Sequence, residues 1–293
     1  MHTPVLLKEV IEYLDPQPNE NFIDATIGEG GHTKAILEKN EPAGKVLGLE
    51  VDPMLYQTVK DQMQDRKRLI LVNDSYVNLE RVVNDLQFQP VNGILFDLGM
   101  CSWHIDESKR GFSYLKDEPL DMRFNPKSTL TAAEIINFWE KEDLEKILKE
   151  YGEEQYAKRI ALVIKEERRK KRIIGTQELV EILKRSLPKN YDNYRLHPAA
   201  RTFQALRIAV NNELENLKMG LTMALKILSP QGKIIVISFH SLEDRIVKNF
   251  FRDNAKQNTF KILTKKPITS SKEEIKNNTR SRSAKLRAAI LVR

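Results

Sequence analysis

Short apolar runs alternating with amphipathic stretches set the rhythm of the first hundred residues. Asn21 to Thr26 reads as a buried strand that ends in glycines, and His32 to Asn40 as the helix after it. Lys45 to Val51 is a second strand, opening after Gly44 and stopped by Asp52-Pro53. Arg68 to Val72 is a third and Gly93 to Asp97 a fourth, with helical spacing between them. Strand, helix, strand repeated in this way predicts right-handed crossovers and a parallel sheet.

The alternation then stops. From Ile105 to about Arg201 the pattern is helical and highly charged, broken at Gly111, Pro119, Pro126, Gly152, Gly175 and Pro188. From Thr202 a single amphipathic helix is expected, with Phe203, Leu206, Val210, Leu214, Leu217, Leu221, Leu225 and Leu228 at spacings of three and four. Ser229-Pro230-Gln231-Gly232 ends it and feeds the strand Lys233 to His240, and Phe260 to Thr264 and Ala288 to Val292 read as two closing strands. The pattern predicts an α/β fold with a doubly wound, mostly parallel sheet. Residues 1–104 and 202–293 would form that domain, and 105–201 a helical domain inserted after its fourth strand.

Composition narrows the class. With 41% hydrophobic and 30% charged residues over 293 positions, the chain can bury a core without disulfides or metals. One cysteine excludes a disulfide framework and a multi-cysteine zinc site, so no metal is expected. Met1 to Glu9 reaches charge too early for a signal peptide, and no apolar run has the roughly 20 residues of a membrane helix. A cytoplasmic protein without a membrane partner is expected.

The net charge of +7 is unevenly placed. Lys256 to Arg293 holds 11 basic and 2 acidic residues, more than the whole-chain excess, and Lys165 to Arg172 is a second basic run. Two such segments on a balanced background suggest a polyanion footprint, against the plainer reading of a solvated helix face and a frayed tail.

The first strand ends in Asp24-Ala25-Thr26-Ile27-Gly28-Glu29-Gly30-Gly31-His32-Thr33. No GxxxxGK[ST] phosphate loop is present, and GxGxxG is broken by Thr33, which argues against a nicotinamide oxidoreductase. Asp24 and Glu29 flank the glycines and would repel a pyrophosphate. Glu50, at the end of the second strand, is placed to accept from ribose hydroxyls. A ligand with a ribose diol and positive ammonium and sulfonium groups suits this set, which points to S-adenosylmethionine before NAD. Tyr76, after the third strand, could pack on adenine or in the core. Asp97, ending the fourth, could face cofactor and substrate or cap a helix.

Several long blocks resemble the RsmH/MraW-type 16S rRNA (cytosine-N4)-methyltransferases. They are Asp24 to Thr33; Asp97-Leu98-Gly99 through Arg110-Gly111-Phe112-Ser113 to Pro119-Leu120-Asp121-Met122-Arg123; Arg201 to Ile208; Ile237 to Arg245; and Arg280 to Arg287. They run in order along essentially the whole chain. The resemblance implies a Rossmann-like core that uses S-adenosylmethionine to methylate N4 of a cytidine in the decoding region of 16S rRNA, within the small ribosomal subunit. By position it implies cofactor contacts at Gly30, Gly31, His32, Glu50, Tyr76, Asp97 and His104. Glu50 stands where an aspartate is usual, Tyr76 a phenylalanine, Cys101 a serine, His104 a glutamine and Ala200 a threonine.

The chemistry leaves more open. The cytosine amine is a poor nucleophile because its lone pair is delocalised, so an enzyme must align it with the methyl group and accept an N–H hydrogen bond. Candidate acceptors are Asp97, Asp121 and His240; Asp121 could instead pair with Arg123, and His240 could be packed at its strand end. Cys101 raises a rival, cytosine-C5 methylation through a thiolate. A non-catalytic ribosome-assembly factor on the same fold is a third reading. Trp103, Phe112 and Tyr114 could stack an extruded base or pack in a core. The residues do not decide the oligomeric state, for which a homodimer is one option.

Overall fold

Each apolar run of the first hundred residues is a strand in the computed structural model, which describes residues 4–188, 191 and 197–292. Met1, His2 and Thr3, read above as part of the chain's start, and Arg293, the end of its basic tail, lie outside the described residues. Two compact units form, Met1–Gly99 with Leu214–Arg293, and Met100–Glu213.

The first unit opens with α1 (Leu7–Leu14), β1 (Phe22–Asp24), α2 (Gly31–Lys39), β2 (Val46–Leu49), α3 (Pro53–Gln62), β3 (Leu69–Val72), α4 (Leu79–Asp85) and β4 (Gly93–Asp97). The second contains α5 (Ser102–Asp106), α6 (Ala132–Phe138), α7 (Lys141–Glu150), α8 (Ala157–Lys170), α9 (Thr176–Ser186) and α10 (Ala200–Asn211). The chain then continues through α11 (Glu213–Ile227), β5 (Lys233–Ser238), α12 (Ser241–Lys256), β6 (Phe260–Ile262), β7 (Ile268–Thr269), α13 (Lys272–Asn277) and β8 (Lys285–Leu291).

The sheet order is β3-β2-β1-β4-β5-β8-β6, with β7 paired to β8. Every pair from β3 to β5 is parallel, and β8 runs antiparallel to both β5 and β6. The fold is thus the expected doubly wound, mostly parallel sheet with helices on both faces. Its central strands are buried on both sides, which is why they read as unbroken apolar runs: Phe22 and Ile23, Val46 and Leu47, Ile94 to Phe96 and Ile234 to Ile237 are all buried.

Three expectations need correction. First, the helix from Thr202 is two helices, because Asn212 adopts a left-handed conformation (φ 50°) that ends α10. Asparagine tolerates that conformation, and the three-four spacing continues across a single such residue. Second, the helical unit starts before 105 and runs past 201. Phe203, Ala205, Leu206 and Val210 of α10 are buried in its core with Ile135, Leu144 and Ile160. Third, of the two readings of the basic tail, the frayed end does not hold, and not every cation of the tail is open to a polyanion. It contributes β6, β7 and β8 to the sheet, and Arg287 is buried in β8, where Nε donates to Asp244 Oδ1 at 2.6 Å and Nη2 to Oδ2 at 3.2 Å. Among the described residues, the helical unit holds no strand beyond the isolated bridge Pro119 to Gly175.

Candidate functional site

The strand order brings several of the sequence-selected residues to one edge of the first unit. Gly30, Gly31 and His32 follow β1, Glu50 follows β2, Tyr76 follows β3, Asp97 ends β4, and His240 follows β5. In open parallel sheets this carboxyl edge is where ligands bind.

The turn after β1 is held by its own side chains. Asp24 is buried, and its Oδ2 accepts from Thr33 Oγ1 at 2.7 Å. Burial raises the Asp24 pKa above the usual carboxylate range, against the pull of that hydrogen bond and of His32. Thr33, read above only as a broken glycine motif, therefore pins the first turn of α2 to the end of β1. Thr26 Oγ1 accepts from the backbone N–H of Asp97 at 2.6 Å and ties the same turn to β4. Gly30 has φ +76°, and a Cβ there would fall 2.5 Å from Met63 Sδ, so the turn requires glycine.

Beyond the turn, polar atoms are left without partners. His32 is only 6% exposed, yet neither of its ring nitrogens makes a hydrogen bond among the described residues. Its Nε2 lies 3.5 Å from Asp97 Oδ2, and Asp97 Oδ1 is also buried and unpartnered. Buried polar atoms are normally satisfied, so unsatisfied ones on neighbouring side chains, in the first turn of α2 and at the end of β4, mark a place where a ligand supplies the partners.

Glu50 is 7% exposed and accepts from the Asp52 N–H at 2.9 Å. Burial pushes its carboxyl up to about 8, while the backbone N–H groups of Asp52, Gly28 and Val51 pull the other way and the Asp52 charge adds to the rise. The Tyr76 ring meets Phe96 edge-on, with centroids 5.6 Å apart. It also packs on Gly220 of α11, where a Cβ would fall 2.5 Å from Tyr76 Cδ2. Gly220 did not stand out in the sequence, although a glycine inside a helix is a usable sign of close approach.

His240 has local work as the N-cap of α12. It stands in a capping box with Glu243, whose Oε2 accepts from the Phe239 N–H at 2.8 Å. This is the strand-end packing that the sequence left open.

His104 and Asp121 belong to the helical unit. His104 is buried among the rings of Trp103, Phe112 and Phe124, with centroids 4.9 to 5.5 Å away. Its Nδ1 lies 3.2 Å from Cys101 Sγ. Asp121 is held by Arg123, with Nε donating to Oδ1 and Nη2 to Oδ2, both at 2.7 Å. Burial raises the Asp121 pKa, but the Arg123 hydrogen bonds outweigh it and the net shift is downward. Of the rings considered for base stacking, Phe112 is a core residue stacked on Phe124 at 5.3 Å, and Tyr114 is stacked on His197 at 4.5 Å.

The residues present suit S-adenosylmethionine. Glu50 offers an acceptor for ribose hydroxyls, the Gly30 turn admits a close backbone approach, Tyr76 offers a ring, and Asp97 offers an unpartnered carboxylate oxygen to a cationic ligand.

Comparison with known proteins places this geometry in context. The family model described as "MraW methylase family" matches residues 1–291. The chain is 45% identical over 305 residues to a ribosomal RNA small subunit methyltransferase H from Heliobacterium mobile, covering 98% of each chain. It is 46% identical over 287 residues to the protein of the same name from a Sulfurihydrogenibium strain, covering 98% of this chain and 97% of that one. A putative rRNA methylase structure from Clostridium thermocellum aligns with a TM-score of 0.49 at 12% identity, covering 100% of this chain and 99% of that one.

Proposed function

The chain belongs to the MraW methylase family, and from that premise we propose that it transfers the methyl group of S-adenosylmethionine to a base of small-subunit ribosomal RNA, specifically to N4 of a cytidine in the decoding region of 16S rRNA. The observation that carries this reading is the set of buried polar atoms without hydrogen bonds, both ring nitrogens of His32 and Asp97 Oδ1, beside the Gly30 turn, where His32 Nε2 faces Asp97 Oδ2 at 3.5 Å. The two curated relatives described above carry rRNA methyltransferase names. No helix among the described residues is long and apolar enough to cross a membrane.

When bound, S-adenosylmethionine supplies a methyl group on a sulfonium that is a good leaving group, so the protein needs no covalent nucleophile. Gly30, Gly31 and His32 would hold the cofactor at the turn, Glu50 would accept from its ribose hydroxyls, and Tyr76 would offer its ring to the adenine. Asp97 Oδ1 would accept an N–H hydrogen bond from the cytosine amine, freeing the nitrogen lone pair for attack, and would then take the proton that the nitrogen sheds as it is methylated. Asp97 is preferred over Asp121 because Arg123 already holds both Asp121 oxygens, and over His240 because its Nδ1 caps α12 and its Nε2 faces Glu243 Oε1 at 3.2 Å, although that Nε2, like Asp97 Oδ1, makes no hydrogen bond. Holding amine and methyl in line is worth several kcal/mol, up to about 7–11 in favourable intramolecular cases.

A second reading has one observation in its favour. The 3.2 Å contact between Cys101 Sγ and His104 Nδ1 would suit activation of a thiol, as C5 methylation would require, but the same Nδ1 accepts from the Cys101 N–H at 3.3 Å in the capping box that opens α5. One experiment separates these readings. The protein is incubated with S-adenosylmethionine bearing a deuterated methyl group and unmodified small subunits, with naked rRNA in parallel, and the nucleosides are identified by mass spectrometry. Labelled N4-methylcytidine is the expected product, and its source shows whether the assembled particle is required. Label in 5-methylcytidine would transfer the chemistry to Cys101. Cofactor binding without transfer to either substrate would favour a non-catalytic assembly factor.

A further inference from the structure

Phe138, the last residue of α6, is 61% exposed, although Ala132, Ile135 and Ile136 of the same helix are buried. The guanidinium carbon of Arg172 lies 4.8 Å from its ring centroid. Local hydrogen bonds build this pairing. Asn137 Nδ2 donates to the Ile173 carbonyl at 2.7 Å, and the Ile173 N–H donates back to Asn137 Oδ1 at 3.0 Å. The residue before Phe138 is thereby locked to the residue after Arg172. Arg168 Nη1 donates to the Ile136 carbonyl at 2.8 Å and closes the end of α6.

The surrounding charge identifies the partner. The basic run ending α8 is partly engaged: Arg168 is used as described, Lys170 faces Glu167 at 2.7 Å, and Lys171 faces Glu178 at 3.5 Å. Arg169 and Arg172 are exposed on either side of those two lysines in sequence. An open aromatic ring bearing an arginine, in a cationic setting, is the chemistry that stacks an unpaired nucleobase and holds its phosphates. A protein-docking patch would instead be depleted of charge at its centre.

We propose that Phe138 and Arg172 form a stacking platform for an unpaired base of the RNA substrate, with Arg169 and Arg172 holding the adjoining phosphates. The proposal rests on the RNA-substrate reading above and adds a binding element within the helical unit. Duplex RNA has no open base face and would gain nothing from the ring.

The test uses the intact protein and a fluorescein-labelled, mixed-sequence single-stranded RNA, with the fully paired duplex alongside, titrated by anisotropy over a range of salt. Phe138→Leu keeps an apolar side chain at an exposed position, so folding should be preserved, which an unchanged melting temperature checks. It should weaken single-strand binding about tenfold or more while leaving the salt slope and duplex binding unchanged, and Phe138→Trp should restore affinity. Arg172→Gln should weaken binding and lower the salt slope by about one. A Phe138→Leu protein that binds the single strand like wild type overturns the platform, as does equal weakening on single strand and duplex. The labelled-methyl assay on wild type keeps the two questions apart. Methyl transfer to rRNA with ring-independent binding sinks the platform alone, and ring-dependent binding without methyl transfer sinks the functional reading alone.

Discussion

His32 Nε2 and Asp97 Oδ2 stand 3.5 Å apart, the first in the opening turn of α2 and the second at the end of β4, and Asp97 Oδ1 is buried without a hydrogen bond. An unsatisfied buried polar group costs about 1–3 kcal/mol. Two of them at one strand edge therefore set aside stability that a ligand restores. S-adenosylmethionine at 100 times its dissociation constant should stabilise the fold by about 2.7 kcal/mol, seen as a rise of several degrees in the thermal melt. An unchanged melt at saturating cofactor would remove the binding site from this edge.

Asp97→Asn tests the acceptor role directly. The substitution preserves shape and the backbone bond to Thr26 Oγ1, so the melting temperature should change little. Losing the charged acceptor should lower kcat by about a hundredfold or more, with the KM for rRNA nearly constant. A variant that kept its kcat would return the role to Asp121 or His240.

Glu50 makes stability depend on pH in a defined direction. Its carboxyl is pushed from 4.5 to about 8 on folding. Over that window the folded state keeps a proton that the unfolded state has lost. Its contribution is thus fully present below about pH 4.5 and is lost as pH rises toward about 8. The total is about 5 kcal/mol at most. In melts across pH 5 to 8 without cofactor, Glu50→Gln should flatten the decline and lose cofactor affinity. A slope identical to wild type would rule out Glu50 as its source.

Why some of this was legible in the sequence and some was not follows from particular residues. The strands could be read because Ile23, Leu47, Ile94 and Ile235 are buried on sheet faces covered from both sides, which leaves no polar alternation to confuse the pattern. The glycine turn could be read because a left-handed Gly30 has few substitutes. Asn212 was invisible because one left-handed residue leaves the three-four spacing intact. Arg287 was counted with the rest of the basic tail because charge counting cannot tell a surface cation from one paired with Asp244 inside the sheet. Thr33 was missed because its partner, Asp24, lies nine residues earlier and is brought close only by the turn.

Arg287 should behave as a structural residue. Its bidentate pair with Asp244 joins β8 to α12, and both side chains are largely buried. Arg287→Met strands that carboxylate, with Lys285 Nζ the remaining cation at 3.9 Å. Removing one partner of a buried pair costs about 3–5 kcal/mol. Denaturant titration should show that loss, while the salt dependence of RNA binding by the folded fraction stays as in wild type. A lower salt slope with full stability would make Arg287 a phosphate contact after all.

Cys101 decides between the two methylation chemistries. Serine fits the same position after β4 and keeps a polar atom near His104. N4 methylation needs no thiolate, so Cys101→Ser should retain turnover and still yield N4-methylcytidine. C5 methylation would stop completely, because the sulfur must bond to cytosine C6 before the methyl is transferred. Nucleoside analysis of the variant's product reads the answer.

Gly220 sets two opposing effects against each other. Alanine is the better helix former by about 1 kcal/mol, and Gly220 lies inside α11, so propensity alone predicts a gain for Gly220→Ala. The added Cβ, however, would fall 2.5 Å from Tyr76 Cδ2 and 3.0 Å from its Cε2. Those atoms are on the body of the ring, so the whole side chain must shift, and overpacking of this kind costs about 1–3 kcal/mol. Tyr76 is half-buried and sits edge-on to Phe96, whose Cε1 would itself be only 3.4 Å from the new methyl. Both rings therefore resist the shift, and the overpacking term should win by on the order of 1 kcal/mol. A lower melting temperature together with weaker S-adenosylmethionine binding, and with RNA binding preserved, is the expected pattern. A more stable protein with unchanged cofactor affinity would show that the Tyr76 ring is free to move and takes no part in holding adenine.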